Sequence, residues 1–190
     1  TPVSGRVMAL AVSPIDANLV LAGSAGGGIW RSTDAGVTYA PVSDDQIDLS
    51  VGAIAFAQSD PNIVYAAMGE EYVSSGVLKS TDAGRTWSRV SDTSLPTPGL
   101  ANDIEVDPRN PNRVYLAQYA GISEDGQLRA AGFFLSTDGG RSWSRRLAGL
   151  PRDSQLFTLL SRRRRFAQNP EHAQHAGHGG ADFVAHRGQK

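Results

Sequence analysis

The sequence predicts an all-β fold of repeated units, and three observations support this prediction. An eight-residue segment occurs three times, at 32–39, 80–87 and 136–143, with starts 48 and then 56 residues apart. A longer segment precedes each copy in the same order, at 10–23, 54–67 and 104–117. Residues 1–150 lack helical periodicity and contain short β-branched and apolar runs between turn residues. We therefore expect stacked units rather than one closed domain.

The middle repeat shows how each unit is built. It contains four short apolar or β-branched runs, which predict strands at 51–56, 63–68, 76–80 and 86–90. The first two strands are separated by the turn residues 58–62. In the turn between the last two, Gly84 can adopt positive φ and Asp82 can accept hydrogen bonds from backbone N–H groups. Trp87 brings a large apolar ring to the start of the outer strand.

Four short antiparallel strands in about 45 residues are typical of a β-propeller blade. The sequence therefore predicts a β-propeller of four-stranded antiparallel blades, with about three blades in residues 1–150, at about 3–42, 51–90 and 101–147. Complete propellers contain about four to eight blades, so we expect this one to be incomplete. Three blades leave two open faces, which predict contact with further blades or self-association. Residues 1–190 alone are expected to be marginally stable, aggregating or oligomeric.

The repeated octapeptide resembles the Asp-box, or bacterial neuraminidase repeat, with the pattern Ser-x-Asp-x-Gly-x-Thr-Trp. The second copy matches every fixed position, whereas the first ends in Tyr39 and the third has Ser142 in place of Thr. Residues 107–117 read Asp-Pro-x-x-Pro-Asn-x-Val-Tyr-x-Ala, which narrows the resemblance to the sortilin and xyloglucanase-like group. Because equivalent positions recur in every repeat, we predict a structural role for the box residues Ser32, Asp34, Gly36, Ser80, Asp82, Gly84, Trp87, Ser136, Asp138, Gly140 and Trp143.

Composition excludes several function classes. The chain has no cysteine, so disulfides and thiol chemistry are excluded and the redox compartment stays open. No apolar run approaches the ~18 residues that a membrane span needs. The chain begins at Thr1 without a visible signal peptide, as expected of a mature form or an excised piece. Residues 1–150 carry 11 Lys and Arg against 16 Asp and Glu, and we expect no nucleic-acid partner.

Residues 151–190 differ in kind from the repeats. The segment 147–160 is similar to the start of a fourth blade, but no fourth octapeptide follows. Instead come Arg162–Arg165 and a stretch rich in Ala, Gly and His, a composition typical of disorder. Two explanations are open: a genuine tail, or a truncated or frame-shifted reading of a longer propeller, which the open blade faces favour. The arginine run is a weak signal for nucleic acid or lipid, and Glu171 with His172, His175 and His178 is a weak metal pattern.

Two regions are candidates for ligand binding. The first is the glycine-rich loop of the first repeat, where Gly26, Gly27 and Gly28 allow close approach to the backbone. It lacks the Lys-Ser/Thr ending of a phosphate-binding loop. The second is formed by the long loops 68–75 and 118–131, which we expect on one rim of the propeller. Their carboxylates and aromatic rings suit a sugar chain or a basic peptide, and the residues are Glu70, Glu71, Tyr72, Tyr119, Glu124 and Asp125.

The resemblance also bears on catalysis. In xyloglucanase-type hydrolases, the glycine-rich loop of the first blade carries a catalytic aspartate, and this position falls on Ala25. Alanine cannot act as acid or base. In sialidases an arginine cluster binds the substrate carboxylate, and only Arg6 is placed to match it. We therefore predict no catalytic residue, no metal site and no cofactor.

The resemblance implies a non-catalytic binding or scaffold module for a carbohydrate or protein ligand. It also implies a bacterial protein that is secreted, periplasmic or at the cell surface. The alternative is a xyloglucanase-like or sialidase-like glycoside hydrolase whose catalytic residues are replaced or lie in missing blades. A third option is an assembly factor that uses an arginine patch on one blade.

Overall fold

The computed structural model describes residues 5–69, 76–95, 99–120 and 132–146, with the backbone alone at 99, 119 and 120. These residues form twelve strands and no helix, which confirms the predicted all-β class. The predicted tail at 151–190 lies outside the described residues.

The strands form three antiparallel sheets of four strands each, and each sheet is one blade. Blade 1 consists of β1 (Val7–Val12), β2 (Val20–Ser24), β3 (Ile29–Ser32) and β4 (Ala40–Pro41). Blade 2 consists of β5 (Val51–Phe56), β6 (Val64–Met68), β7 (Val77–Ser80) and β8 (Ser88–Arg89). Blade 3 consists of β9 (Gly99–Asp107), β10 (Asn110–Ala120), β11 (Gly132–Ser136) and β12 (Ser144–Arg145).

Three strands of the middle repeat differ from the prediction, and its second and third strands begin one residue later than predicted, at Val64 and Val77. The outer strand predicted at 86–90 pairs only over Ser88–Arg89. In blade 3, Asn110 already pairs with Asp107, and the register is irregular between Asn110 and Val114. Asp107 closes this tight turn by accepting a hydrogen bond from the Arg109 N–H at 2.9 Å.

The blades stack face to face, and the core lies between them. We call the side of a blade that contacts the next blade its forward face, and the opposite side its backward face. Between blades 1 and 2, Leu21 and Ile29 belong to one buried cluster with Ile54, Val64 and Leu78. A second cluster between blades 2 and 3 joins Tyr65 and Val77 to Ile104, Val114, Leu116 and Phe134. Apolar residues therefore alternate between two buried faces along the same strands, as sandwiched strands require.

The two ends of the stack have different constructions. At one end, here called the box rim, each octapeptide turn bonds to the first turn of its own blade. Ala35 N–H donates to Asn18 O, Ala83 N–H to Asn62 O and Gly139 N–H to Asn112 O, each at 2.9 Å. The opposite end, here called the loop rim, carries the loop between the second and third strands of each blade. It also carries the start of the first, inner strand of each blade. There Gly69 N–H donates to Ser50 O at 2.7 Å within blade 2, and Ala101 N–H donates to Gly69 O at 3.0 Å, which ties blade 3 to blade 2.

Candidate functional site

The octapeptide turn of blade 2 forms a closed hydrogen-bond network around Asp82. The Ser80 hydroxyl donates to Asp82 Oδ1 at 2.7 Å and accepts from the Gly84 N–H at 2.9 Å. Thr86 donates to the same carboxylate through its N–H at 2.9 Å and its hydroxyl at 2.6 Å. Both carboxylate oxygens are therefore occupied from within the turn.

The same network recurs in the other two blades. Thr38 donates to Asp34 through its N–H and its hydroxyl, at 2.9 and 2.5 Å. Ser142, which replaces threonine in the third copy, donates its hydroxyl to Asp138 at 2.6 Å. The substitution keeps the hydroxyl donor, and so the turn keeps its full set of contacts.

The backbone of this turn passes through two left-handed residues in a row. Ala35 and Ala83 have φ of 58° and 59°, and Gly139 has φ of 78° at the same position. The next residue is glycine in all three copies, with φ between 79° and 87°. Alanine adopts this conformation only with about 1–2 kcal/mol of strain, which the surrounding hydrogen bonds offset.

The turn carboxyls are strongly acidic. Hydrogen bonds from Ser32 and Thr38 lower the pKa of Asp34 to about 2. Partial desolvation opposes ionisation of Asp82 and Asp138, but the hydrogen bonds from Thr86 and Ser142 outweigh it and lower each pKa to about 2. At neutral pH these groups are ionised and saturated with donors, so they are unsuited to general acid catalysis.

The last residue of each octapeptide packs beside its turn. Trp143 Nε1 donates to Gly140 O at 2.9 Å. Trp87 is equally buried, but its Nε1 has no hydrogen-bond partner within the described residues. Tyr39 replaces tryptophan in blade 1 and is partly exposed.

The glycine-rich loop of blade 1 lies on the loop rim and is internally bonded. Gly27 N–H donates to the Ser24 hydroxyl at 2.6 Å, and Trp30 Nε1 donates to Gly27 O at 2.7 Å. Gly28 has φ of 71°, and a Cβ there would lie 2.5 Å from Ser43 Oγ. A Cβ on Gly26 would meet no atom within 4 Å. Packing therefore explains the glycines at 27 and 28, and ligand binding by this loop stays a prediction.

A second repeated feature, a hydrogen bond from a strand N–H to a serine hydroxyl, was not predicted from the sequence. The Ser43 hydroxyl accepts from the Ile29 N–H at 2.7 Å, and the Ser91 hydroxyl accepts from the Val77 N–H at 3.0 Å. In each case a left-handed glycine, Gly28 or Gly76, precedes the donor. The sequence signal is a glycine before Ile or Val with a serine 15 residues after the glycine.

The structure also places the residues considered for catalysis. Ala25 lies on the loop rim, and its N–H donates to Arg6 O at 2.9 Å. Arg6 is exposed just before β1. Two buried polar side chains, Asp48 and Gln118, lie near this rim and were not singled out from the sequence. The Asp48 carboxylate accepts from the Ser50 N–H at 2.8 Å, which shapes the approach to β5.

Several predicted residues lie outside the described part of the chain. These are Glu70, Glu71, Tyr72, Glu124, Asp125, Arg162–Arg165, Glu171, His172, His175 and His178. Of Tyr119 only the backbone is described, at the end of β10. Within the described residues no three His, Asp or Glu side chains are grouped to hold a metal ion, and no helix could cross a membrane.

Comparison with known proteins defines the class. The Sortilin-Vps10 family model (sortilin, neurotensin receptor 3) matches residues 27–159. The chain therefore belongs to the Sortilin-Vps10 family. No curated protein sequence matches it significantly.

Solved structures with the same arrangement are β-propeller proteins. An ancestral GH74 enzyme is 26% identical over 76% of this chain and 19% of its own length, with a TM-score of 0.55. The GH74 xyloglucanase from Xanthomonas campestris is 19% identical over 77% of this chain and 24% of its own, with a TM-score of 0.56. YCF48 from Cyanidioschyzon merolae is 18% identical over 76% of this chain and 41% of its own, also with a TM-score of 0.56. The chain thus spans less than half the length of each of these proteins.

Proposed function

We propose that this propeller is a non-catalytic binding or scaffold module that holds a carbohydrate or protein ligand on its loop rim. The observation that carries the proposal is Ala25 on the loop rim, because the resemblance to xyloglucanase-type enzymes implies a catalytic aspartate at this position. Alanine cannot transfer a proton. The repeated carboxylates Asp34, Asp82 and Asp138 are at the opposite rim and are each saturated with internal donors.

The chemistry of the loops suggests the class of ligand. The segments 69–76 and 121–131 connect the second and third strands of blades 2 and 3, and long loops on a rigid scaffold commonly bind ligands. Glu70, Glu71, Glu124 and Asp125 supply negative charge there, and Tyr72 supplies an aromatic ring. Tyr119 lies at the end of β10, just before the second segment. This combination suits a basic peptide or a sugar chain. Peptide binding has a precedent in the fold, since YCF48 has been solved bound to the D1 peptide.

The first test measures binding of two probes, xyloglucan and a lysine-rich decapeptide, by titration calorimetry. We expect one of them to bind, and Glu70→Gln with Glu71→Gln to weaken that binding by about tenfold. The matched control is Asp44→Asn with Asp45→Asn, which removes the same charge from the exposed linker after blade 1. Equal loss in both variants would indicate a non-specific charge effect and contradict a rim site.

A glycoside hydrolase is the second candidate, favoured by the 26% identity to an ancestral GH74 enzyme. The discriminating assay follows release of reducing ends from xyloglucan by the full-length protein. Binding without release supports the module. Release that a single rim carboxylate substitution abolishes would replace the proposal with a hydrolase.

We also propose that the module acts in the bacterial envelope or outside the cell, as the family resemblance implies. Fractionation of the source cells tests this location. Recovery in the periplasmic, surface or secreted fraction is expected, and recovery in the cytosol alone would contradict it.

A further inference from the structure

Charged residues occupy two equivalent positions at both internal blade contacts. At the first contact, Arg31 Nε on blade 1 donates to Ala83 O in the octapeptide turn of blade 2 at 3.1 Å. Burial lowers the pKa of Arg31, and Arg85 in that turn lowers it further. The cation before one octapeptide therefore contacts the turn of the next octapeptide, which carries an arginine at its sixth position.

The second contact repeats this arrangement. Lys79 on blade 2 holds the position of Arg31, and its Nζ lies 5.3 Å from the ring centroid of Tyr65. A Cβ on Gly139 in the third octapeptide would lie 3.0 Å from that Nζ. Burial lowers the pKa of Lys79, and Arg141, which holds the position of Arg85, lowers it further.

On the two faces that no described blade covers, these two positions are held by apolar residues instead of charged ones. On the forward face of blade 3, Leu135 replaces Arg31 and Lys79, and it is half-buried. In the octapeptide of blade 1, Val37 replaces Arg85 and Arg141 and is 81% exposed. The two replacements are complementary. If these two faces met, Leu135 and Val37 would form an apolar pair where the internal contacts have charged residues.

Other positions on the same faces are consistent with such a contact. Leu10 and Val12 are exposed on blade 1, although Ile54 and Ile104 are buried at the position of Leu10. On blade 3, the ring of Tyr115 stacks on Phe133 with centroids 5.8 Å apart, and both rings are half-buried. Each of the two uncovered faces therefore presents apolar side chains that could pack against another blade.

We propose that the forward face of blade 3 binds the backward face of blade 1 in a second copy of the chain. A head-to-tail contact of this kind closes into a ring when the rotation permits. The described residues of two copies contain six blades, which is within the range of about four to eight for closed propellers. Leu135 then packs on Val37 of the second copy, and Tyr115 packs against its octapeptide turn. This contact is independent of the ligand on the loop rim.

The test measures the mass of the full chain by sedimentation velocity at increasing concentration. We expect the wild type to approach twice the monomer mass of 20.1 kDa. Val37→Arg restores the residue type of blades 2 and 3, and Leu135→Glu places a carboxylate opposite Val37. Each change alone should weaken the dimer by at least about tenfold. The double variant should recover it, because the two new charges attract each other.

The control is a substitution on the exposed surface outside the proposed contact. Ile47 is a fully exposed apolar residue in the linker between blades 1 and 2, away from both open faces, and Ile47→Glu should leave the dimer unchanged. A wild type that stays monomeric overturns the proposal, as does a dimer that neither single variant affects. If Leu135→Glu lowers the unfolding midpoint of a monomer, another part of the same chain covers this face. A mass that rises without a plateau would replace the closed ring with open stacking.

Discussion

Blades 1 and 2 have the same strand order but different surroundings. Ile54 and Leu10 hold the same position on the inner strands of these blades, yet Ile54 is 2% exposed and Leu10 is 59% exposed. Blade 1 covers the backward face of blade 2, whereas no blade among the described residues covers the backward face of blade 1. Hydrogen bonding within each sheet is thus a local property, but the core of a blade is completed by its neighbour.

The largest expected effect comes from removing the apolar side chain at this shared position. Ile54→Ala should lower the free energy of unfolding by about 2–5 kcal/mol, because it leaves a cavity between two packed blades. Leu10→Ala should change it by less than about 0.5 kcal/mol in the monomer, since the exposed side chain loses few contacts. Urea denaturation of dilute samples measures both values.

The same pair reports on the proposed second copy. At higher concentration a partner would bury Leu10, and the cost of Leu10→Ala should then rise towards that of Ile54→Ala. Equal costs in dilute samples would mean that Leu10 is already covered in the single chain, and the contrast between the blades would be wrong.

Glycines at the same octapeptide position give the second contrast. A Cβ on Gly84 would lie 2.8 Å from Leu21 of the preceding blade, whereas the atoms nearest to a Cβ on Gly36 belong to Tyr39 of its own turn, the first at 3.0 Å. Both glycines have positive φ, so alanine costs about 1–2 kcal/mol of strain at either site. Gly84→Ala should cost about 1–3 kcal/mol more, from overpacking. Thermal unfolding of the two variants compares them, and equal losses would show that the blade contact yields without cost.

Much of each blade was predictable because its signals are local. The strand predicted at 51–56 has those bounds in the structure, since an apolar run between turn residues specifies a buried strand. Asp82 was expected to accept backbone hydrogen bonds, and it accepts from the N–H groups of Arg85 and Thr86. Aspartate with glycine two residues later is a short-range pattern that a sequence displays directly.

Other features depended on contacts that spacing alone does not reveal. The bond from the Ile29 N–H to Ser43 joins β3 to the segment after β4, 14 residues further along the chain, and the residues beside Ser43 do not mark it as an acceptor. In the sequence, Arg31 has the features of an ordinary surface cation. Its hydrogen bond to Ala83 O depends on the packing of blade 2 against blade 1. On the loop rim, the sequence identified three glycines as open to a ligand, whereas packing accounts for Gly27 and Gly28.

A smaller contrast concerns two tyrosines at the same position of successive blades. Tyr65 is fully buried by blade 3, and its hydroxyl donates to Pro111 O at 2.8 Å. Burial raises its pKa to about 12, because the phenolate would be poorly solvated there. Tyr65→Phe should cost about 0.5–1.5 kcal/mol. Tyr115→Phe should be nearly neutral in dilute samples, since Tyr115 is half-buried and its described contact is ring stacking on Phe133. A comparable loss at both positions, measured by urea denaturation, would indicate that Tyr115 already has a buried acceptor.

The smallest effect should be the same in every blade, because it arises inside the octapeptide turn. The pKa of Asp34, Asp82 and Asp138 is about 2 in the folded chain, below the ordinary value near 3.9 of an unfolded aspartate. A depressed folded pKa contributes stability that is present above the unfolded pKa and is lost as pH falls from about 4 to about 2. Urea midpoints measured from pH 6 to about 2 should therefore drop in that window.

Asp34→Asn and Asp82→Asn separate this local term from the effects of neighbouring blades. In each variant, the urea midpoint should fall less between pH 4 and 2 than in the wild type, because one aspartate no longer contributes. The two reductions should be similar, although the turn of blade 1 has no described blade before it. Solvent screening keeps each reduction small, because Asp34 is exposed and Asp82 is only partly buried. A much larger reduction for Asp82 would mean that contact with blade 1 contributes to its acidity. The octapeptide would then be part of the blade contact as well as a turn.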